Sequence, residues 1–449
     1  MGGERRWFGT DGIRGQVGTA PMTPDFVLRL GWALGTVLAR TQSNPKVVIG
    51  KDTRLSGYML ESALEAGLSA AGARSLLLGP IPTPAVSLLT TTFRAQAGIV
   101  VSASHNPFAD NGIKIFGADG YKLADAAEAE IEALLEQPLG CAPPERFGKA
   151  RRIDDAGGRY IEFCKSTFRG GSLGGLRIAL DCAHGAAYQV APMILEELGA
   201  ELSVIGNKPD GININRDVGS TKPAALQQTV REGGFDLGIA LDGDADRCLL
   251  VNPAGEMVDG DGILYLLARG RQARGELQGP VVGTLMSNFG LEQALQRDGI
   301  GFERAAVGDR YVFERMQQTE ALLGGEPSGH VLIRDRARTG DGIVTALQVL
   351  AEICQAARGL DDLLEGLHCL PQTLLNVRLS GGSAKAVLAA EGVQQAARAA
   401  EERLQGRGRL LLRASGTEPL IRVMVEADET DFAESCAEAV ADAVRAEAG

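Results

Sequence analysis

Short apolar runs recur along this chain in sets of three, with helix-like stretches between them. The first set is Val47-Val-Ile-Gly, Leu76-Leu-Leu-Gly and Gly98-Ile-Val-Val. The second is Ile178-Ala-Leu, Leu202-Ser-Val-Ile and Gly238-Ile-Ala-Leu. The third is Val281-Val-Gly-Thr, Phe302-Glu-Arg-Ala-Ala-Val and Ala321-Leu-Leu. Runs this short, bounded by Gly and Pro, predict α/β units with largely parallel sheets. Generic α/β periodicity without a true repeat is the alternative. Glu61 to Ala71 predicts one of the intervening helices, with Leu64 and Leu68 one turn apart on a face of small residues. The tail reads differently. A strand at Leu374–Leu379, a helix over 384–404, paired strands at Gly408–Leu412 and Leu420–Val425, and a helix over 431–448 suggest a smaller α+β domain. Turn residues near Gly157, Pro253 and Pro371 divide the chain into 1–157, 158–254, 255–371 and 372–449.

Each set of three ends in a polar loop: Ser102-Ala-Ser-His-Asn-Pro, Asp242-Gly-Asp-Ala-Asp-Arg and Gly324-Gly-Glu-Pro-Ser-Gly-His. Open α/β sheets bind ligands at the carboxyl ends of their strands. Three related domains facing one cleft would bring these loops together.

Composition narrows the function. A net charge of −12 argues against a nucleic-acid binder, although a local basic pocket can still take an anion. The basic start lacks the apolar run of a secretion signal, and no apolar stretch is long enough to span a bilayer. The seven cysteines are scattered, with no Cys-x-x-Cys pair, as expected of reduced thiols in a cytoplasmic protein.

In the second loop, Asp242, Asp244 and Asp246 alternate after a strand that reads as buried. Carboxylates held about 5 Å apart at an effective dielectric near 20 repel by about 3 kcal/mol per pair. A hard cation relieves that, and few oxygen ligands suit Mg²⁺ that keeps sites for water or phosphate. An EF-hand is excluded, because Arg247 stands where its Gly belongs and Pro253 where its Glu belongs. A solvated acidic turn is the competing reading, and Arg247 weighs against it by suiting an anion beside the metal.

In the first loop, the Ser104 hydroxyl is a weak nucleophile unless activated, but it can carry a phosphoryl group whose oxygens would complete a metal site. His105 is its sequence neighbour and suits orientation of loop or phosphate as well as base catalysis. Lys114 offers a proton or a charge near a transferring group, with a solvated strand lysine as the alternative. In the third loop, Glu326, Ser328 and His330 suit hydrogen bonding to sugar hydroxyls, with a surface hairpin as the alternative. Arg413, Ser415, Gly416 and Thr417, with Arg422 nearby, resemble a backbone nest for phosphate. Phe8 to Gly15 adds a glycine-rich loop with one cation, Arg14. Nucleotide-binding glycine motifs and a His-Glu-x-x-His zinc motif do not occur. Gly170-Gly-Ser-Leu-Gly precedes a strand, not the context of a nucleophile elbow, and reads as a linker.

These five motifs, in this order and spacing, resemble the α-D-phosphohexomutase superfamily nearly end to end. The resemblance implies three related α/β domains with mixed, largely parallel sheets plus a smaller C-terminal α+β domain, around a central cleft. It implies a phosphoserine at Ser104, and Mg²⁺ held by Asp242, Asp244, Asp246 and a phosphate oxygen on Ser104. Glu326 and Ser328 would hold sugar hydroxyls, with His330 among the substrate-binding residues. Arg413, Ser415, Gly416, Thr417 and Arg422 would grip the phosphate that stays. Arg14, His105, Lys114 and Arg247 would line the transfer site. The implied reaction moves phosphate between positions 6 and 1 of glucosamine, with glucosamine 1,6-bisphosphate as activator and intermediate. Glucose or mannose phosphates are the alternative substrates. Expected partners are the phosphorylated hexosamine, with no nucleic acid and no membrane, and a homodimer is the one assembly considered. Pro327, Ala245 and Ala414 depart from the residues usual in the family. Pro327 matters most, since it stiffens a loop that should read the sugar.

Overall fold

Apolar side chains on both faces of the central strands leave no side for water, so each set of runs is driven to the middle of a layered sheet. In the computed structural model, which describes residues 6–9, 11–380, 383–415 and 419–448, Lys46–Lys51 lies between Arg74–Pro80 and Ala97–Val101, parallel to both. Five of its six residues are buried. The chain divides into two compact units, Met1–Val282 with Gly308–Glu365, and Gly283–Val307 with Gly366–Gly449.

The first unit contains the expected mixed, largely parallel sheets, and a rule common to all three functional loops. Ala97–Val101 is followed by the antiparallel Asp110–Gly117, in the strand order Ile13–Gln16, Asp110–Gly117, Ala97–Val101, Lys46–Lys51, Arg74–Pro80, Arg151–Arg152. Leu237–Leu241, parallel to Arg177–Asp181, is followed by the antiparallel Cys248–Val251. Leu323–Gly325 pairs in parallel through Val282↔Gly324 and is followed by the antiparallel Val331–Ile333. Each loop therefore joins a parallel strand to the strand that turns back beside it. The third run settles two residues later than the sequence suggests, because the Ala321 N–H is still used by the preceding helix, donating to Met316 O.

Helices Pro24–Ala39 and Leu55–Ala70 pack Leu30, Leu34, Leu60, Leu64 and Leu68 into one cluster with Val47, Ile49 and Ile99 of the first sheet. Glycines set their separation. A Cβ on Gly67 would stand 2.0 Å from Leu28 O, and one on Gly31 2.6 Å from Leu64 O. The helix predicted over 61–71 is thus the second half of a longer one.

The second unit carries the antiparallel sheet Gln372–Arg378, Leu420–Ala427, Gly408–Ala414. Helix Thr430–Glu447 packs its Val440, Ala441 and Val444 into that sheet's core. Glu426 is fully buried and accepts from Arg409 Nε at 2.6 Å and from Phe289 N at 2.9 Å, tying the segment 283–307 to the sheet. The single helix expected over 384–404 is two, Ala384–Ala389 and Glu391–Leu404, broken at Ala390, whose ψ of 139° is extended. Gln394 Nε2 takes up the freed Leu388 carbonyl at 2.7 Å. Among the described residues no helix is long and apolar enough to cross a membrane.

Gly→Ala inside a helix normally helps by about 1 kcal/mol. Gly67→Ala is expected to do the opposite, costing about 1–3 kcal/mol through backbone collision, read as a lower urea midpoint.

Candidate active site in the first unit

Ser104 sits in the turn after Ala97–Val101, 1% exposed, with φ at +52°. Its Oγ donates to Asp242 Oδ2 at 2.5 Å and lies 3.3 Å from His105 Nδ1. Asp242, Asp244 and Asp246 are all buried, and each presents an oxygen within 4.8 Å of the others. The serine loop of one sheet and the acidic loop of the next therefore meet, as the two motifs require. Close approach is built in, because a Cβ on Gly243 would fall 2.5 Å from Ser104 O.

Burial, then Asp246 and Asp244, push the Asp242 carboxyl far above the usual carboxylate range. Asp244 Oδ1 and Asp246 Oδ1 are buried with no hydrogen-bond partner. Three convergent oxygen donors, two of them orphaned, fit a hard divalent cation. One opposing charge within the chain is Lys114, whose Nζ stands 3.1 Å from both Asp244 Oδ2 and Asp246 Oδ2. Burial disfavours its charge, yet Asp11, Asp244 and Asp246 hold its pKa well above the ordinary lysine value, so it acts here as a fixed cation. Thr83 Oγ1 donates to Asp244 Oδ2 at 2.7 Å, and Arg247 N to Asp242 Oδ1 at 3.2 Å.

The third loop reaches the same place. His330 is 4% exposed, with Nδ1 3.6 Å from Asp246 Oδ1 and Nε2 3.7 Å from Asp309 Oδ2. Burial opposes its protonation, but Asp246, Asp309 and Glu326 outweigh that and raise it to about 9. His105 moves the other way, down to about 4, through burial and the nearby Arg247 and Arg14. The two histidines differ because one faces carboxylates and the other guanidinium groups. Glu326 Oε1 accepts from Gly308 N at 3.0 Å, and Ser328 Oγ is buried with no hydrogen-bond partner. Pro327 is accommodated, and its carbonyl accepts from Gly260 N at 3.1 Å.

Several residues not singled out as candidates in the sequence complete the site. Asp11 pairs with Arg14, with Lys114 at 3.2 Å and with Lys122 at 2.7 Å. Lys122 also meets Asp309 at 2.7 Å. Asp11 lies within the first motif, between its glycines, and only its acidity in a cation-bearing loop was a signal. Lys122 and Asp309 are single charged residues with no sequence signal of their own.

Arg413, Ser415 and Arg422 belong to the second unit. Arg413 and Arg422 are cross-strand partners, and Arg422 Nε is buried with no hydrogen-bond partner. Burial and Arg422 both lower the Arg413 pKa. Ser415 N donates to Leu420 O at 2.9 Å. Two guanidinium groups side by side suit an anion. Gly416 and Thr417 lie outside the described residues.

Family models match along the whole chain. They are described as phosphoglucomutase/phosphomannomutase alpha/beta/alpha domain I over residues 5–139, domain II over 159–255, domain III over 259–369, and the C-terminal domain over 374–443. A Phosphoglucosamine mutase of Chromohalobacter salexigens is 62% identical over 427 residues, covering 94% of each chain. The crystal structure of a phosphoglucomutase/phosphomannomutase family protein of Burkholderia thailandensis superposes with a TM-score of 0.81 at 24% identity, covering 98% of this chain and 97% of that one. An Aspergillus fumigatus N-acetylphosphoglucosamine mutase, solved with GlcNAc-6P and magnesium, matches at TM-score 0.69 and 17% identity, covering 99% and 96%. These two superpositions establish likeness of fold.

The paired arginines give a direct test. Sulfate is expected to raise the Tm of the protein, and Arg422→Met to abolish most of that rise while leaving the sulfate-free Tm unchanged or higher, measured by scanning calorimetry.

Proposed function

Because the chain belongs to the phosphoglucomutase/phosphomannomutase family, we propose that it is a phosphosugar mutase interconverting glucosamine 6-phosphate and glucosamine 1-phosphate through a phosphoserine at Ser104. The observation that carries the reading is the buried hydrogen bond from Ser104 Oγ to Asp242, inside a triad of carboxylates fit for a cation. The near-full-length relative named phosphoglucosamine mutase supports the choice of sugar. The four matched segments support the division at 157, 254 and 371. A phosphorylated sugar substrate fits a cytoplasmic setting.

Asp242, Asp244, Asp246 and a phosphate oxygen on Ser104 would hold Mg²⁺, which supplies charge neutralisation at the transferring group. The chain's own groups do the rest. Phospho-Ser104 yields its phosphoryl to the 1-hydroxyl of glucosamine 6-phosphate. The Ser–O–P bond breaks, the sugar–O–P bond forms, the proton of the 1-hydroxyl passes to the released Ser104 oxygen, and glucosamine 1,6-bisphosphate results. The bisphosphate turns over and returns its 6-phosphoryl to Ser104, releasing glucosamine 1-phosphate. Phosphoryl transfer asks mainly for positioning and charge. Lys114, Arg14 and Arg247 provide fixed positive charge beside Ser104, and neutral His105 can accept a hydrogen bond there. Glu326 and the unpartnered Ser328 hydroxyl hold the sugar, with His330 behind them, and Arg413 and Arg422 with Ser415 hold the phosphate that is not moving.

Turnover with Mg²⁺ and a trace of bisphosphate is expected to favour glucosamine 6-phosphate over glucose and mannose 6-phosphates in kcat/KM. Ser104→Ala is expected to lose at least about 10³-fold in kcat, the scale set by removing a covalent carrier. Full turnover by that variant would end the phosphoserine scheme, and preference for another hexose would change the sugar alone. For the cation, Mg²⁺ added to chelator-treated protein is expected to raise Tm. Asp242→Asn, which relieves repulsion among the three acids, is expected to keep the metal-free Tm and lose the response to Mg²⁺.

A further inference from the structure

The Ser104 loop is held by two residues that belong to none of the recognised motifs. Ser104 is an L-residue at φ +52°, a region such side chains seldom adopt, so the surrounding structure has to impose it. The imposition is visible at two carbonyls, those of Ser104 and Asn106. Arg54 Nη2 donates to Ser104 O at 3.2 Å and to Asn106 O at 2.6 Å. Asn215 Nδ2 donates to the same two oxygens, at 2.9 and 3.1 Å. Arg54 comes from the end of the strand Lys46–Lys51 in the first sheet, and Asn215 from the loops around the second. Each carbonyl is thus gripped from both sides.

The grip is itself anchored. Arg54 is fully buried and pairs with the fully buried Asp52. Asp52 Oδ2 accepts from Ser102 Oγ at 2.5 Å, and Ser102 Oγ accepts from Ser104 N at 2.9 Å, so the amide of Ser104 is fixed as well as its carbonyl. Asn215, at φ +57°, is pinned by its own N–H to Ala183 O at 2.8 Å. A buried Arg–Asp pair used only for packing would not direct guanidinium donors at the backbone of the reacting loop, nor would a second sheet supply an amide to the same atoms.

We propose that Arg54 and Asn215 are positioning residues that fix the backbone attitude of Ser104, so that its Oγ keeps its aim at Asp242 through both halves of the reaction. The proposal rests on the reading of Ser104 as the phosphoryl carrier. Both residues direct these donors at the loop backbone, so both are expected to act on the rate of transfer and leave substrate affinity alone.

Asn215→Ala is the first variant, because Asn215 is only partly buried and its removal leaves the Asp52–Arg54 pair intact. The expected result is a fall in kcat of about 10- to 100-fold, the scale of a misplaced reacting group, with KM for the sugar phosphate within about twofold and Tm within about 2 °C. Phosphorylation of Ser104 by the bisphosphate, followed by intact mass, should slow by the same factor. Asn215→Asp, isosteric but without the two donors, should be no better than Ala. Arg54→Lys keeps the charge beside Asp52 but loses the fork across two carbonyls, and should show the same split. Unchanged kcat in Asn215→Ala, or a change confined to KM, overturns the proposal. So does a fall in kcat matched by lost folded protein. Ser104→Ala, run alongside, separates the two ideas. If it turns over at the full rate, the carrier reading fails and takes this proposal with it. If it is dead while Asn215→Ala is fully active, the positioning proposal alone fails.

Discussion

Three carboxylates buried within 4.8 Å of one another are the constraint that the rest of the first unit answers. Their mutual repulsion has to be met by positive charge, and burial makes water a poor source of it. The chain meets it with a closed circuit of alternating sign. Asp246 contacts Lys114, Lys114 contacts Asp11, and Asp11 contacts Lys122. Lys122 contacts Asp309, Asp309 faces His330, and His330 returns to Asp246. The members come from three of the matched family segments, so the electrostatics of the acidic loop also join those segments. Lys114 stands among carboxylate oxygens that would face a bound cation.

The architecture explains why chemistry gathers at these loops. A parallel strand that hands over to an antiparallel neighbour turns sharply at its carboxyl end. A sharp turn exposes backbone groups and tolerates unusual dihedrals. The loops that carry Ser104, the three aspartates and Glu326 all occupy that position. Glycine then lets backbone meet backbone: Gly243 against Ser104 O, Gly329 against Cys248 O and Gly342 against Arg247 O would each collide if given a Cβ. Motif glycines here are spacers between loops as much as hinges within them.

Much of this was legible in the sequence, and the limits have physical causes. The parallel strands announced themselves because burial on both faces makes continuous apolar runs. The antiparallel returns Cys248–Val251 and Val331–Ile333 hid as short runs beside the motifs, and Asp110–Gly117 hid because Asn111, Gly112 and Lys114 break its apolar pattern. The three aspartates could be read as a cation site because their spacing alone suggests that chemistry, whereas Ser104 stood out through the family resemblance. Lys122, Asp309, Arg54 and Asn215 could not be read, because the contacts that bring each to the site form only through tertiary packing over large sequence separations. The break at Ala390 was invisible because both flanking segments favour helix. Pro327, which departs from the residue usual in the family, still serves the loop through the group proline retains, its carbonyl, which accepts from Gly260 N.

The close contact of Gly67 with Leu28 has a reach beyond local packing. Arg54 is the residue that precedes helix Leu55–Ala70, and Gly67 lies twelve residues into that helix, about 18 Å along its axis at 1.5 Å per residue. A helix locked against its neighbour at one end is a stiff rod, and the side chain at its other end inherits that stiffness. The Ser104 loop, which Arg54 grips, is thus joined through one helix to a place where two helices meet at glycine. If Ser104 carries the phosphoryl group as proposed, slack introduced at that meeting point would reach the group as imprecision of aim.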